Sequence, residues 1–279
     1  MSPSPATKAP RWDPVLYGQF AAERERPARD LIGRISLSSP ASIVDLGCGP
    51  GNVTLGLAQR WPDARITGVD NAPQMLAEAR GLRAHPDGSP LAGRFQGSVD
   101  WVEADIATWA PDQPPDLVFS NAALQWLGSH ATLFPRLFAA LAPGGVLAVQ
   151  MPANHDAPSH RLMADCARQG PWADRLVPLL RPDPVAPAAF YYDLLAPRAA
   201  GIDIWETEYL QVLAGEDPVV AFVRGTGLKP LCDALAEPER GAFLAFYAER
   251  IRAAYPRRAD GCTLFPFRRL FIVARGRGA

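Results

Sequence analysis

The stretch Asp45-Leu46-Gly47-Cys48-Gly49-Pro50-Gly51, entered from the apolar Ser42-Ile43-Val44, constrains this chain more than any other part of it. An apolar run that ends in an acid and three alternating glycines predicts a buried strand over 42–46. A turn using positive φ follows, then a helix from about Asn52. Glycines in such a turn let a ligand touch bare backbone, and a parallel strand ending this way places that ligand at the carboxyl edge of a sheet. The feature points to a nucleotide-like cofactor.

The rest of the N-terminal half keeps the same rhythm. Val53, Leu57 and Trp61 form a helical stripe that Pro62 ends, and a second strand over 65–70 finishes in Asp70. Pro73 opens a helix through Met75, Leu76 and Ala79. Residues 101–106, 116–120 and 146–151 predict three further strands. The last two flank a helical stripe of Phe134, Leu137, Phe138 and Leu141, stopped by Pro143-Gly144-Gly145. Residues 81–100, rich in Gly and Pro, predict an exposed loop. Upstream, 1–11 predicts a loose tail and 12–35 two helical pieces, with Pro27 in the first turn of the second. Beyond 151 the alternation loosens into a sixth strand over 202–213, a helical stretch over 218–255 and a seventh strand over 270–274. The expected fold is α/β and Rossmann-like, a seven-stranded, mostly parallel sheet with helices on both faces. One domain over 12–279 is expected, carrying helical cap insertions at about 155–200 and 215–265.

Charge and cysteine usage exclude several classes. With 28 basic and 29 acidic residues the formal net charge is -1, which argues against a dedicated nucleic-acid binder. The four cysteines are widely spaced without a CxxC pair, as in a cytoplasmic protein with reduced thiols, and no metal-ligand spacing is present. No apolar stretch is long enough to span a bilayer, and residues 1–11 lack a secretory pattern.

The acids decide between cofactors. A dinucleotide site wants G-x-G-x-x-G, whereas this chain has G-x-G-x-G directly after Asp45. A carboxylate there repels a pyrophosphate and suits a ligand with an amino group and a positive sulfur. S-adenosylmethionine has both. Asp70 then accepts from the two ribose hydroxyls, with Asn71 beside it. Asp105 and the Ile106 backbone meet the adenine edge, Met75 lies on the adenine face, and Asn121 closes the methionine end. Gly47 and Gly49 supply the loop. Each acid taken alone also makes an ordinary turn or cap; three at successive strand ends make the signal.

At this point the chain resembles the class I S-adenosylmethionine-dependent methyltransferases, and more narrowly the bacterial trans-aconitate 2-methyltransferases. The residues that carry the resemblance include Trp12-Asp13-Pro14-Val15-Leu16-Tyr17, Glu23-Arg24-Glu25-Arg26-Pro27, Asp70-Asn71-Ala72-Pro73-Gln74-Met75, and Glu103-Ala104-Asp105-Ile106. Asn121-Ala122-Ala123-Leu124-Gln125-Trp126, Val149-Gln150-Met151-Pro152, Tyr191-Tyr192 and Arg269-Leu270-Phe271-Ile272-Val273-Ala274 extend it. Two departures stand out: the long 81–100 loop, and Ala153-Asn154-His155 where the family carries Asp-Asn-Trp.

The resemblance implies methyl transfer to a carboxylate of trans-aconitate, giving a monomethyl ester and S-adenosylhomocysteine. A carboxylate is ionised at neutral pH and needs no general base, so no acid–base dyad is expected. Gln125 and Trp126 are the positioning candidates. Tyr17, Arg24, His155, His160, Tyr191, Arg224 and Arg269 are the substrate candidates, the arginines because a guanidinium fork binds a carboxylate through two charge-assisted hydrogen bonds. Tyr17 is also placed at the cofactor. The partner is a small carboxylate, and the chain is compatible with a monomer. The alternatives are another polycarboxylate or a carrier-bound acyl chain as acceptor, a nucleic-acid methyltransferase, a non-catalytic cofactor-binding regulator and a dinucleotide dehydrogenase.

Overall fold

The structure, a computed structural model, describes residues 21–82, 98–180 and 185–278, with 21–24 as backbone alone. The loose tail, the start of the first helical piece up to residue 20 with Tyr17 in it, the Arg24 side chain and most of the 81–100 loop lie outside the described residues. The described chain forms two compact units. One lies within 20–155, 181–212 and 265–279; the other is built from 156–180 and 213–264.

The first unit begins with α1 (Ala21–Gly33), β1 (Ser42–Leu46), α2 (Asn52–Arg60), β2 (Arg65–Asp70) and α3 (Pro73–Gly81). It continues through β3 (Val99–Glu103), β4 (Leu117–Asn121), a 3₁₀ turn (Leu124–Trp126), α4 (His130–Ala139) and β5 (Val146–Pro152). The second unit contributes α5 (Pro158–Gln169) and α6 (Ala173–Leu176). Then come α7 (Ala188–Leu195) and β6 (Ala199–Leu213), the helices α8 (Pro218–Arg224), α9 (Lys229–Asp233) and α10 (Glu239–Ala254), and β7 (Thr263–Gly276).

The sheet is seven-stranded, in the order β3-β2-β1-β4-β5-β7-β6. β1 pairs in parallel with β2 and β4, β2 with β3, and β4 with β5, while β7 runs antiparallel to β5. Strand order therefore reverses between β1 and β4, and in such sheets ligands sit at that crevice.

Register sorts the side chains by face. The pairs Asp45↔Phe119, Asn121↔Gln150 and Gln150↔Phe271 put those residues on one side. On that side Ile43, Phe119, Ala148 and Phe271 pack under Leu31 and Ile35 at α1 and Leu57 of α2. On the other, Val44, Val118, Leu147 and Ile272 pack against Phe134 and Leu137 of α4 and against Tyr191 and Leu195 of α7.

Several boundaries differ from the sequence expectation. Pro27 lies inside α1 rather than at the start of a second helix. A proline there removes one intrahelical bond, but Ala28, Leu31 and Ile35 are almost fully buried, and that packing carries the helix through. β3 starts at Val99, because Ile66↔Val99 and Thr67↔Asp100 extend its pairing with β2. β7 is far longer than 270–274. Its pairing with β5 spans Arg269 to Arg275, and Phe265 and Phe267 bury alternate positions despite Pro266 between them. The expected insertion over 155–200 is not a single body, since α7 belongs to the sheet unit through buried Tyr191 and Leu195.

The second unit is helical. In it Trp172 meets Phe243 edge-on at 5.3 Å, and its indole N–H donates to the Cys166 carbonyl at 2.8 Å. The Tyr247 hydroxyl donates to the Ser159 carbonyl at 2.9 Å. Arg252 forks onto Asp217 at 2.7 and 2.6 Å. The expected helical stretch over 218–255 forms three helices there.

Gly47 shows how tightly the sheet unit is built. Its φ is +74°, and a Cβ added there would stand 2.2 Å from the Ala123 Cβ. Gly47→Ala should therefore cost about 3 kcal/mol or more in stability, from φ strain and overpacking together. Urea denaturation of the variant against the parent protein reads this directly.

Candidate functional site

The loop after β1 is held from both sides. The N–H groups of Gly47 and Cys48 donate to the Val69 carbonyl at 2.8 and 3.1 Å, and Gly49 N–H donates to Asp70 Oδ2 at 2.9 Å. On the β4 side, the Ser120 hydroxyl donates to the Leu46 carbonyl at 2.8 Å. Gly47 lies against Ala123, with Ile106 Cδ1 just beyond. The structure thus brings together the predicted Asp45, Gly47, Gly49, Asp70, Ile106 and the segment after Asn121. Among the described residues nothing lies within 4 Å of where a Cβ on Gly49, at φ +55°, would stand, so they leave that side of the loop open.

Each acid has a distinct environment. Asp45 is 2 % exposed, and Thr54 Oγ1 donates to its Oδ2 at 2.6 Å. Burial pushes its pKa up to about 7, against the lowering effect of the Thr54 bond and with a further rise from the Asp70 charge. Burial also raises Asp70, whose two oxygens accept the N–H groups of Gly49 and Ala72, both at 2.9 Å. The Asn71 backbone N–H bonds to this carboxylate as well. Asp105 is exposed; its Oδ1 accepts the Ala107 N–H at 2.9 Å and caps the turn that presents Ile106. Asn71 is exposed beside Asp70, and Met75 is buried in α3. The Cys48 thiol is pushed up by burial and by the charges of Asp45 and Asp70, so it stays protonated.

Past β4 the backbone turns through Ala122, which takes φ +54°. Gln125 Nε2 donates to the Ala122 carbonyl at 2.7 Å and ties the 3₁₀ turn to that bend. Two acceptor atoms, Asn121 Oδ1 and Gln125 Oε1, are buried with no hydrogen-bond partner among the described residues. Buried acceptors are normally met by a protein group, a water, an ion or a ligand. Trp126 is half-buried.

The substrate candidates separate. Arg269 is 3 % exposed on β7, and its Nη1 donates to Gln150 Oε1 at 3.3 Å. His155 is half-buried just after β5, next to the buried Asn154. His160 lies in α5 and Arg224, exposed, ends α8, both in the second unit. Tyr191 takes a place other than the expected pocket wall. It is fully buried, its hydroxyl accepts from Ala186 N–H at 3.1 Å, and it lies 2.8 Å from His130 Nδ1. The Leu124 carbonyl, 2.9 Å from His130 Nε2, can only accept. Nε2 therefore carries the proton, and Tyr191 donates to Nδ1.

Sequence reasoning missed four supporting residues. Thr54, nine residues past Asp45, had only its place in the helix after the glycine loop as a signal. Arg136 donates to the carbonyls of Trp109, Ile106 and Ala107 at 2.6, 2.7 and 3.1 Å and pins the Asp105 segment from α4. His130 holds the 3₁₀ turn. Gln211 is buried on β6, where the neighbouring apolar Leu210 and Val212 gave no signal of it.

Comparison with known proteins now bears on this site. Residues 43–145 match the general methyltransferase domain family. The chain is 52 % identical over 265 residues to a trans-aconitate 2-methyltransferase of Azoarcus sp., covering 95 % of this chain and 99 % of that one. A trans-aconitate 2-methyltransferase of Paracidovorax citrulli is 50 % identical, with 95 % and 98 % covered. The chain belongs to the trans-aconitate 2-methyltransferase family. The fold has wider kin: the YcgJ protein of Bacillus subtilis superposes with a TM-score of 0.57 at 11 % identity, over 91 % of this chain and all of that one.

Two outcomes follow for the protein without ligand. Because burial raises the folded pKa of Asp45, the unfolded chain loses that proton first, and Asp45 lowers stability as pH climbs from about 4 to about 7. Asp45→Asn should flatten that part of the stability profile, read as denaturation midpoints across the range. Tyr191→Phe leaves Ala186 N–H and His130 Nδ1 unpaired and should cost about 1–3 kcal/mol. The readout is a lower melting temperature with an unchanged Michaelis constant for the acceptor.

Proposed function

We propose that the protein methylates a carboxylate of trans-aconitate with S-adenosylmethionine as donor, in the cytoplasm and as a small-molecule enzyme. What carries this beyond family membership is the set of buried acceptors at the β1 and β4 ends, Asp45, Asn121 Oδ1 and Gln125 Oε1. They suit an ammonium and a sulfonium and would repel a phosphate. The residues present fit the cofactor. Asp70 would take the ribose hydroxyls. The Ile106 N–H would meet the adenine ring, with Asp105 beside its amino group. Gly47 and Gly49 would let the ligand reach bare backbone on the loop's open side. Among the described residues no helix is long and apolar enough to cross a membrane. Three of the four free cysteines are buried, which suits a reducing compartment.

When bound, S-adenosylmethionine supplies an electrophilic methyl group on a positive sulfur and leaves as S-adenosylhomocysteine. The protein's task is positional. The acceptor's carboxylate is already ionised, so no side chain need remove a proton. Gln125 and Trp126, set by the bend at Ala122, would align its oxygen with the methyl carbon and keep water away from it. Arg269 would neutralise a spare carboxylate of the acceptor, and His155 lies at the end of the adjoining strand. One lone pair on the carboxylate oxygen forms the new C–O bond, and no proton moves.

Mass spectrometry of purified protein with S-adenosylmethionine and a panel of polycarboxylic and carrier-bound acids should show a mono-ester of trans-aconitate. A mono-ester of a different acid alone would reassign the acceptor. Asp70→Ala should weaken cofactor affinity at least tenfold by calorimetry, since hydrogen bonds to a charged group contribute about 1.5–3 kcal/mol. The acceptor's Michaelis constant should stay within about twofold.

A further inference from the structure

The carboxyl edge of the sheet changes character from one side to the other. At β1 and β4 its buried side chains present acceptors. At β5 and β7 they present donors, and at β6 a glutamine presents a donor and an acceptor. Gln150 is fully buried; its Oε1 accepts from Arg269, which leaves Nε2, a donor, buried and without a partner among the described residues. Gln211 is 6 % exposed, and its Nε2 and Oε1 are both buried without partners among the described residues.

These residues share one face and one edge. Gln150 pairs with Phe271, and Arg269, two residues earlier on β7, points to the same side. On β6, Trp205 stacks on Phe271 at 4.7 Å, while Tyr209 lies within electrostatic reach of Arg269. β6 thus advances from the level of Phe271 toward that of Arg269. Two residues past Tyr209 on the same face, Gln211 arrives at the carboxyl edge.

An unpaired buried amide is destabilising, and replacing it by an apolar residue of similar shape is commonly neutral or stabilising. Two such glutamines flanking a buried arginine make poor packing and a good cradle for anionic oxygen. We infer that Gln150 and Gln211 are specificity residues which, with Arg269, bind the acceptor's non-reacting carboxylates. This rests on the function proposed above and names the groups that select a polycarboxylate. The guanidinium fork can take one carboxylate, and the amide N–H groups of the two glutamines are separate donors for a second on the same small molecule.

The test uses Gln211→Leu, Gln211→Glu and Gln150→Leu in the full-length protein. Gln211→Leu should raise the Michaelis constant for trans-aconitate at least tenfold, with kcat and cofactor affinity within twofold and a melting temperature equal to or above the parent's. Gln211→Glu should raise it further, by placing a like charge against the acceptor. Should Gln150→Leu fail to fold, Gln211, on the edge strand, decides alone. A Michaelis constant within twofold of the parent's for both Gln211 variants overturns the inference. Calorimetry of trans-aconitate into protein loaded with S-adenosylhomocysteine separates the two levels. Binding by the parent protein that is lost in Gln211→Leu supports the cradle even if no ester forms, and only the proposed reaction then falls. No binding of any polycarboxylate by the parent protein overturns the cradle itself.

Discussion

The geometry of the site depends on one threaded segment. Between β1 and α2 the backbone passes so close to its neighbours that Gly47 touches Ala123 on the β4 side, while Gly47 and Cys48 share the Val69 carbonyl on the β2 side. Asp70 completes the clamp by accepting from Gly49. A side chain at Gly47 would push the two halves of the sheet apart at the crevice where strand order reverses. The loop is therefore held from both sides by hydrogen bonds and contact, and among the described residues nothing crowds Gly49.

Around that loop, second-layer contacts set the positions of the groups that would meet ligands. Arg136 gathers three carbonyls and holds the turn that carries Asp105 and Ile106. His130 and Tyr191 form a buried relay from the Ala186 N–H to the Leu124 carbonyl, which fixes the turn bearing Gln125 and Trp126. The electrostatics follow from burial. Asp45 is buried with the Thr54 hydroxyl donating to it, and burial holds its proton until about pH 7. An arriving cation would restore its charge, so ligand and carboxylate stabilise one another where neither would be comfortable alone.

Much of this was legible in the chain. Apolar runs ended by acids, separated by helical stripes and interrupted by glycine and proline, specify parallel strands and their order along the sequence. The run from Asp45 to Gly51 announced the positive-φ turn that follows β1. Legibility fell where tertiary packing outweighs local preference. Pro27 reads as a helix start, yet the burial of Ala28, Leu31 and Ile35 carries α1 through it. Pro266 hides the length of β7. Tyr191 reads as a pocket residue because aromatic hydroxyls often line pockets, but its hydroxyl is committed to the core.

The end of β6 shows the division most clearly. By hydropathy Leu210 and Val212 should point inward, yet they are 53 % and 61 % exposed, while Gln211 between them is buried. A strand has only two faces, and which one is buried is set by the neighbour it pairs with, here β7 and the stack of Trp205 on Phe271. The amino-acid sequence by itself determined the alternation of elements, the glycine loop and the three acids at successive strand ends, because these are local patterns of residue type. The tertiary structure alone decided which polar side chains are buried on one face of the carboxyl edge. That depends on register between strands far apart in the chain, and no local pattern encodes it.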